Sequence, residues 1–368
     1  MPGSDQAITA WGKRRDMIVH SQAPVNAEPP ASVLAEGEIT ASEAFYCRNH
    51  GAVPDLAPEQ WRLSVDGTVT NPLTLTYAQL TTEFSAHDVI ATLVCAGNRR
   101  AELLQVRRIP GKEPWGQGAI STATWRGTRL ADVLRAAGIH AEDELHVAFA
   151  APDIAPKASP VQTYGSSITL DKAMSGEVLL AWEMNDEPLP RIHGGPVRVL
   201  VPGFIGARSV KWITGITVQP FPSQNYFQAV DYRLRPPDGD PTAPGEGIPL
   251  SSLSLGCGIL TPDDGATVPA GPLDIQGYAI AADCRRIARV EVSLDAGVSW
   301  RQAELQPTTS RWAWRQWSLP VEVERGPLGV LARAWDDTGA THPESPASLW
   351  NPGGYANNAW ARVELTVP

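Results

Sequence analysis

The clearest hydrophobic pattern lies in the last third of the chain, where apolar and polar positions alternate with a period of two. The alternation runs through residues 290–294, 329–335 and 362–367. The first two runs lead into Asp-Ala-Gly and Asp-Asp-Thr-Gly, which are typical turn sequences. Short strands separated by turns predict an all-β, immunoglobulin-like sandwich. The term describes architecture only, because the Cys…Trp…Cys signature of antibody domains is missing.

The preceding part of the chain mixes two periodicities. Residues 61–67 alternate like a strand that enters a turn, and residues 77–80 begin a short helical stretch. Residues 130–138 have the apolar spacing of an amphipathic helix that ends at its glycine. Interleaved strands and helices predict an α+β domain with a mixed α/β sheet arrangement.

Two segments follow neither periodicity. Residues 1–35 are charged and contain several prolines, and we predict an N-terminal arm there. Proline and glycine are so frequent at residues 233–247 that no helix or central strand can continue, which predicts a linker at 236–249. These breaks leave one domain at 36–235 and a second at 250–368, as expected for a chain too long for one ordinary core.

Composition and charge restrict the class of function. Thirty basic and forty acidic side chains give a formal charge of −10, which argues against a general nucleic-acid binder. No apolar run approaches the roughly 20 residues that span a bilayer, so no membrane association is expected. Arg14-Arg15 is not followed by the apolar segment of an export signal. We therefore expect a cytoplasmic protein.

The four cysteines, Cys47, Cys95, Cys257 and Cys284, form no Cys-x-x-Cys pair. In a chain of this size, a disulfide scaffold is not expected, and reduced thiols are the simpler prediction. Seven of the thirteen tryptophans follow residue 299. Their concentration indicates an aromatic core in the second domain, an interface on it, or both.

The most distinctive segment is Cys-Ala-Gly-Asn-Arg-Arg at residues 95–100. The apolar run at 89–94 predicts a buried strand that would hold the Cys95 thiol rigidly at its end. Arg99 and Arg100 would favour the thiolate, which ligates soft metals or attacks electrophiles. A lone cysteine is more often a small buried side chain, so structural and functional interpretations are both open here.

A second group of cationic residues occurs at positions 189–211. Arg198 falls in the middle of an apolar run, and a buried arginine requires an anionic partner. His193 precedes it in a proline-punctuated loop, where a histidine is usually only hydrogen-bonded, and Lys211 follows it. Cationic groups that converge from separate loops are what a phosphorylated cofactor requires.

These segments resemble the motifs of the sulfite oxidase and assimilatory nitrate reductase family. The resemblance rests on Cys-Ala-Gly-Asn-Arg-Arg, on Arg-Asn-His at 48–50, on Gly-Ala-Arg-Ser-Val-Lys-Trp at 206–212 and on the closing segment at 348–360. It implies a molybdopterin-binding domain followed by an immunoglobulin-like dimerisation domain, and hence a homodimer. It also implies a molybdenum cofactor with a single molybdopterin, and two-electron oxygen-atom transfer.

The same resemblance assigns roles to individual residues. Cys95 would be the protein ligand of the molybdenum. The residues expected at the reacting centre are Arg48, Arg100, Tyr164 and Trp115. The residues expected to bind the cofactor are Tyr46, Cys47, Arg48, Asn49, His50, Asp153, His193, Arg198, Ser209, Val210 and Lys211.

The chain departs from the family pattern after its Trp-Asn pair. Sulfite-oxidising relatives have an arginine there that completes a three-arginine anion pocket, whereas this chain has Pro352 and Gly353. Nitrate reductases of the family also lack that arginine, and nitrate carries a single charge. We expect oxidation of sulfite to sulfate, with reduction of nitrate or reaction of another oxo-anion, S-oxide or N-oxide as the alternative. Since no haem or flavin module is evident, an external electron acceptor or donor, for example a cytochrome, is expected.

Two other classes of function are open from the residues alone. A cysteine hydrolase could use Cys95 with His50 or His193, although the sequence shows no group that would stabilise its oxyanion. A carrier or dimeric scaffold could hold the cofactor without turnover. The joint presence of Arg48, Arg100 and Tyr164 argues against that second possibility.

Overall fold

The computed structural model of the protein describes residues 8–139, 144–281 and 285–368. Within these ranges an α+β half is followed by a β-sandwich, which confirms the fold predicted from the two periodicities. Cys284 lies outside the described residues. None of the described helices combines the length and apolar character needed to cross a membrane.

The α+β half is built on two five-stranded sheets and a separate hairpin. Its strands are β1 (Ile18–Gln22), β2 (Val25–Glu28), β3 (Arg62–Gly67), β4 (Leu73–Thr76), β5 (Ala86–Val94), β6 (Ile120–Arg129), β7 (His146–Ala155), β8 (Gln162–Thr169), β9 (Leu179–Met184), β10 (Glu187–Pro188), β11 (Arg198–Leu200) and β12 (Gly215–Gln219). Its helices are α1 (Tyr77–Thr82), α2 (Arg100–Val106), α3 (Leu130–Ala136) and α4 (Leu170–Ala173). One sheet has the order β10-β9-β6-β5 with β11 also on β9, and the other has the order β4-β3-β12-β7-β8, in which β12 and β3 are parallel.

Local signals explain where these elements begin and end. Thr76 and Gln79 form a reciprocal capping box at the start of α1. Helix α3 stops before Gly138, whose φ of 74° lies in the left-handed region that favours glycine. Strand β5 extends the predicted apolar run and ends one residue before Cys95, so the thiol is fixed at a strand terminus.

The second half is a sandwich of two four-stranded sheets. Its strands, after the short pair β13 (Arg233–Leu234) and β14 (Ile248–Pro249), are β15 (Gly256–Thr261), β16 (Gly271–Ile280), β17 (Ile287–Ser293), β18 (Arg301–Gln302), β19 (Glu304–Leu305), β20 (Arg315–Val323), β21 (Gly326–Asp336) and β22 (Ala361–Val367). The sheet orders are β15-β16-β20-β19 and β18-β17-β21-β22. The proline-rich segment predicted as a linker is a loop that the β13–β14 ladder closes. The exact domain boundaries stay a prediction.

The two halves share a hydrophobic core. Tyr278, Trp314 and Tyr355 of the second half belong to the same buried cluster as Phe149 and Tyr164 of the first. The sandwich has a separate core of its own, which includes Trp317. Because the shared core brings second-half side chains beside the first half, residues distant in sequence can contribute to one site.

The N-terminal segment has more structure than its composition predicts. Strands β1 and β2 form a hairpin, and a 3₁₀ turn follows at Ala31–Glu36. Asn26 and Glu28 of β2 are almost completely buried. The hairpin is held by a small apolar cluster of Met17, Val19, Val25 and Ala27 together with buried polar contacts, and its strands are too short to show a clear period.

Candidate active site

A cavity of about 630 Å³ opens where β5 ends. Its lining includes ten of the residues that the sequence predicts for the site: Tyr46, Arg48, His50, Cys95, Asp153, Tyr164, His193, Arg198, Ser209 and Lys211. It also includes residues that were not predicted, among them Phe45, Ala96, Ala207, Trp212 and Tyr232. Segments scattered from residue 45 to residue 232 therefore meet around one space.

Cys95 lies in the wall of this cavity and is 6% exposed. Its backbone N–H donates to the carbonyl of Ala119 (2.9 Å), and its Sγ accepts from the backbone N–H of Gly97 (3.4 Å). Burial raises the pKa of the thiol more than the nearby Arg100 and Arg48 lower it. Arg100 therefore favours the thiolate, as predicted, but burial outweighs this effect in the protein alone. A bound metal ion would supply the missing positive charge.

The two arginines after Cys95 have different surroundings. Arg99 turns towards the sandwich, where it donates to the carbonyls of Cys257 (2.9 Å) and Ala359 (2.8 Å). Arg100 donates from Nε to the carbonyl of Gly354 (3.0 Å) and from Nη1 to the carbonyl of Glu113 (2.9 Å). Arg99 thus joins the two halves, and Arg100 is the one whose charge acts on Cys95.

Gly97 is needed by the packing of Arg100. A Cβ atom at this position would lie 2.2 Å from Arg100 Nη2. A glycine is required here because the guanidinium occupies the space that a side chain would take.

One end of the cavity, which we call the deep end, contains cations with few acidic partners. Arg198 is 4% exposed, donates to the carbonyls of His193 (2.8 Å) and Ser209 (3.0 Å), and packs on the face of Trp125. In the described ranges it forms no ion pair. Lys13 comes from the N-terminal segment and lies against His193 Nε2. Burial lowers the pKa of Arg198 to about 10 and lowers that of Lys13.

Lys211 and Asp153 face each other at the same end. Lys211 Nζ donates to the carbonyls of Arg48 (3.0 Å) and Ile192 (3.1 Å) and to Asn49 Oδ1. Burial lowers the pKa of Lys211 to about 7 and raises the pKa of Asp153 to about 7, although each group opposes the shift of the other. Asp153 Oδ1 has no hydrogen-bond partner within the described part of the chain.

Arg48 and His50 line the part of the cavity that adjoins a second pocket. Arg48 Nη1 contacts Asn26 Oδ1 (3.4 Å) and the carbonyl of Asn49. His50 Nε2 shares a hydrogen bond with the hydroxyl of Tyr232 (2.8 Å). Burial lowers the pKa of His50 well below its usual range, so the ring is neutral at pH 7. Tyr164 was predicted to lie at the reacting centre. Its hydroxyl donates to the carbonyl of Ala207 (2.7 Å).

This second pocket is a vestibule of about 650 Å³ that shares Arg48 and His50 with the main cavity. Lys112, Glu113 and Asp231 also line it. Lys112 Nζ pairs with Asp231 and donates to the hydroxyl of Tyr355 (2.9 Å). That hydroxyl donates in turn to Asp231 Oδ1 (2.8 Å). We call the vestibule and the adjoining part of the cavity the mouth of the site.

Five predicted site residues lie near the cavity without lining it. They are Cys47, Asn49, Arg100, Trp115 and Val210. Cys47 pairs with Ala27 of the hairpin through two backbone hydrogen bonds. Trp115 is completely buried, and its Nε1 has no acceptor among the described residues. The expected place of Trp115 on the pocket surface is therefore not seen, because the ring packs behind the pocket with Cys95 and Phe45.

The N-terminal hairpin contacts two segments next to the site. Asn26 Oδ1 accepts from the backbone N–H of Asn49 (2.7 Å) as well as from Arg48. Glu28 accepts from the backbone N–H groups of Gly116 (2.6 Å) and Gly118 (2.8 Å), which follow Trp115 in the chain. The sequence offered one overlooked signal for this role, namely an isolated Asn and Glu between apolar residues in a segment otherwise interpreted as an arm.

The residues present fit an anionic cofactor with a metal. Arg198 is a buried guanidinium that meets only carbonyl groups, which leaves its charge uncompensated by the described protein groups. Asp153 Oδ1 is a buried polar atom in the cavity wall with no partner among the described residues. A thiol faces the same cavity. A phosphorylated, hydrogen-bonding cofactor whose metal reaches Cys95 would satisfy all of these groups at once.

Comparisons with known proteins agree with this geometry. The family described as oxidoreductase molybdopterin binding domain matches residues 50–227, and the Mo-co oxidoreductase dimerisation domain matches residues 249–367. The mitochondrial sulfite oxidase of Homo sapiens is 44% identical over 95% of this chain and 65% of its own length. The sulfite oxidase of Gallus gallus is 43% identical over 94% of this chain and 76% of its own length.

Two further similarities extend the comparison. A nitrate reductase of Hordeum vulgare is 38% identical over 100% of this chain and 44% of its own length. The crystal structure of the sulfane dehydrogenase SoxCD from Paracoccus pantotrophus superposes with a TM-score of 0.80 at 26% identity, covering 95% of this chain and 88% of that one. The first half of the chain is thus a molybdopterin-binding oxidoreductase domain. The chain as a whole belongs to the sulfite oxidase family, and it spans about two thirds of the length of the human relative.

Proposed function

We propose that this protein catalyses two-electron oxygen-atom transfer at a molybdenum centre held by a single molybdopterin, with sulfite oxidised to sulfate. The observation that carries the proposal is the meeting of the Cys95 thiol with a set of buried cations around one cavity. The similarity to sulfite oxidases over 95% of the chain supports it. When bound, the cofactor would supply a two-electron redox couple and the oxygen atom that is exchanged with the substrate.

The deep end of the site would hold the cofactor. Arg198, Lys211 and His193 surround a space without neutralising acidic groups apart from Asp153, which suits a phosphate. Lys13 adds a further cation from the N-terminal segment. Cys95 Sγ would be the protein ligand to the metal, because it is the thiol that lines the cavity.

The mouth of the site would bind and orient the oxyanion. Arg48 and Arg100 provide fixed positive charges, and both act on Cys95 electrostatically. The Tyr232 hydroxyl would donate to a substrate when neutral His50 donates its Nε2–H to it, whereas the Tyr164 hydroxyl already donates to a backbone carbonyl. Neutral His50 orients the Tyr232 hydroxyl through their shared hydrogen bond. Oxidation of sulfite also consumes water and releases two protons and two electrons, so an external electron acceptor is part of the proposal.

The alternative within the family is reduction of nitrate. It is favoured by one observation, the glycine at position 353 where the sequence comparison expects an arginine in sulfite-oxidising relatives. The cysteine hydrolase alternative has no support. Burial raises the pKa of Cys95, and the ring nitrogens of His50 and His193 make contacts with Tyr232 and Lys13 instead.

Assembly and location complete the proposal. Residues 249–367 match a dimerisation domain, and we propose a homodimer formed through the sandwich. Three partly exposed tryptophans, Trp300, Trp335 and Trp360, surround Arg333 on one sandwich sheet and form a surface rich in interface-type residues. The cytoplasm remains our proposed location, which fractionation of the native host would test.

The decisive experiment compares wild type with Cys95→Ser after expression in a host that synthesises the pterin. We expect one molybdenum per chain and sulfite-dependent reduction of ferricyanide in wild type, with turnover lost in the variant because serine does not replace the thiolate. Cys257→Ser is the matched control, since Cys257 is equally buried but lies away from the cavity. A wild-type protein without molybdenum would contradict the proposal, and molybdenum without sulfite turnover would move the substrate to nitrate or another oxo compound.

A further inference from the structure

Carboxylates at the mouth of the site neutralise much of its positive charge. The cations that line the vestibule are Arg48, Lys112 and Lys157, and the opposing carboxylates are those of Asp231 and of Glu113, which pairs with Lys157 (3.4 Å). Three positive and two negative side chains leave a formal charge of +1. Positive neighbours hold the pKa of Glu113 and of Asp231 below its usual value despite burial, so both are ionised at pH 7. Burial also lowers the pKa of Lys112.

Tyr355 holds the ion pair of Lys112 and Asp231 in place. Its hydroxyl donates to Asp231 Oδ1 (2.8 Å) and accepts from Lys112 Nζ (2.9 Å), so it joins the two charges. Its ring packs against the guanidinium of Arg100 at 5.3 Å. Tyr355 is 2% exposed and therefore has little freedom to leave this position.

The packing of Tyr355 and Arg100 also leaves no space for an arginine side chain at residue 353 or 354. A Cβ atom on Gly353 would lie 2.5 Å from the Tyr355 ring, and one on Gly354 would lie 2.7 Å from Arg100 Nε. No side chain fits at residue 353 while the tyrosine keeps its place. The third arginine expected in sulfite-oxidising relatives is thus replaced by an aromatic ring that carries a carboxylate partner.

We propose that Asp231 and Glu113 restrict this site to singly charged oxyanions, such as hydrogensulfite or nitrate, and that Tyr355 is the positioning residue that keeps Asp231 on Lys112. The inference rests on the proposed function, because it defines the substrate class of the same site. A dianion would bring two negative charges to a mouth with one net positive charge. The first negative charge would be balanced by the net positive charge, and the carboxylates would repel the second, which a monoanion does not have.

The test measures anion binding rather than turnover. Sulfate and perchlorate are both tetrahedral and differ by one charge, and neither is a substrate of the oxidised holoenzyme without an electron donor. Titration calorimetry on wild type should show tighter binding of perchlorate than of sulfate. Asp231→Asn should raise the affinity for sulfate relative to perchlorate about tenfold, because it removes one negative charge from the mouth. Tighter sulfate binding by wild type, or no binding of either anion, would overturn the proposal.

Matched variants separate charge at the mouth from other effects. Asp88→Asn makes the same chemical change at the far end of β5, where Asp88 pairs with Arg126 on the surface, and should leave the sulfate-to-perchlorate ratio unchanged. Glu113→Gln should shift the ratio in the same direction as Asp231→Asn, which keeps the test available if the latter folds poorly. Tyr355→Phe keeps the ring over Arg100 and should give a smaller shift, about threefold, by loosening Asp231.

The outcomes also distinguish this inference from the proposed function. A ratio that stays within twofold in both carboxylate variants would overturn the inference, even if the enzyme contains molybdenum and oxidises sulfite. Conversely, failure to find molybdenum in wild type would overturn the proposed function. In that case the inference, which rests on the proposed function, would fall with it.

Discussion

We expect both the deep end and the mouth of the cavity to bind an anion, but the cations at the two places differ in whether protein carboxylates neutralise them. At the deep end, Arg198 has backbone carbonyls as partners and no carboxylate among the described residues. At the mouth, Lys112 pairs with Asp231, and Glu113 acts on Arg48. A buried charge without a partner is costly unless a ligand supplies the counter-charge permanently. The comparison therefore indicates a resident anion at the deep end and an exchanging one at the mouth, where the protein must also be stable without its ligand.

The largest effect is expected from removal of the deep-end guanidinium. Arg198→Met should reduce the molybdenum content of the purified protein by more than tenfold, because a charge-assisted contact to the anionic cofactor is lost. The free energy of unfolding of the cofactor-free chain should change by only about 1 kcal/mol, since three lost hydrogen bonds are offset by relief of repulsion with Lys211. Metal analysis and denaturant unfolding provide the two measurements.

Arg208 offers the matched control for this prediction. It is also a buried arginine, but it lies outside the cavity and donates to the carbonyl of Leu250 (2.9 Å) and to Ser166 Oγ (2.7 Å). Arg208→Met should destabilise the chain by about 2 kcal/mol through those unsatisfied acceptors. If the two variants lose molybdenum and stability in the same proportion, the deep end has no special role in holding an anion.

A smaller and different effect is expected at the mouth. Arg48→Gln should raise KM for the oxyanion by about 10- to 100-fold, because a fixed positive charge is removed from the substrate site. The molybdenum content should stay near the wild-type value. Steady-state kinetics with parallel metal analysis tests both parts, and Lys157→Gln, whose side chain at the vestibule rim is 65% exposed, should change KM less than twofold. Loss of the cofactor from Arg48→Gln would erase the distinction between the two ends.

The last predicted effect is the contribution of Lys211 to the pH dependence of stability. Burial lowers the pKa of Lys211 to about 7 in the folded chain, below the value of 10.5 for a free lysine. At this residue the folded state then binds fewer protons than the unfolded state between these values, so Lys211 should contribute a rise in the unfolding free energy of the cofactor-free chain as pH increases from about 7 to 10. The rise should be lost as pH falls through 7. Its slope is at most about 1.4 kcal/mol per pH unit.

Lys211→Met should remove this rise. Loading with the cofactor should also reduce it, because a phosphate favours the protonated amine. Lys112→Met at the mouth is the comparison variant, since Lys112 is already paired with Asp231. The measurement is the denaturant midpoint of unfolding from pH 6 to 10, compared between wild type and the two variants. A wild-type chain that loses stability across this interval, with Lys211→Met unaffected, would contradict the prediction.

The parts of the fold that follow a simple period were accessible from the sequence. The runs at 290–294, 329–335 and 362–367 lie within β17, β21 and β22 apart from one residue of the first, and Gly138 ends the helical segment of α3. The sequence 95–100 and the cations at 193–211 were recognisable because short motifs place several functional groups close together. The N-terminal hairpin was missed, since Asn26 and Glu28 act through polar contacts to residues far along the chain.

Electrostatic balance at the site could not be predicted in the same way. The sequence shows Arg99 and Arg100 side by side, but the fold turns one towards the sandwich and keeps the other beside Cys95. The sequence also has glycine where an arginine is expected at 353, but it does not reveal that the Tyr355 ring fills the space of that side chain. Whether a charge acts on a site depends on distance and burial, and neither is encoded in the spacing of residues along the chain.

The sequence by itself determined the order of the two halves, the strand that carries Cys95 and the identity of most cavity residues, because periodicity and local motifs act over a few neighbouring positions. Only the tertiary structure decided how these residues are paired. Lys112, Asp231 and Tyr355 lie more than a hundred residues apart from one another in the chain, yet they share hydrogen bonds at the mouth. Contacts between such distant segments form only when the shared core brings the two halves together, and those contacts set the charge that a substrate meets.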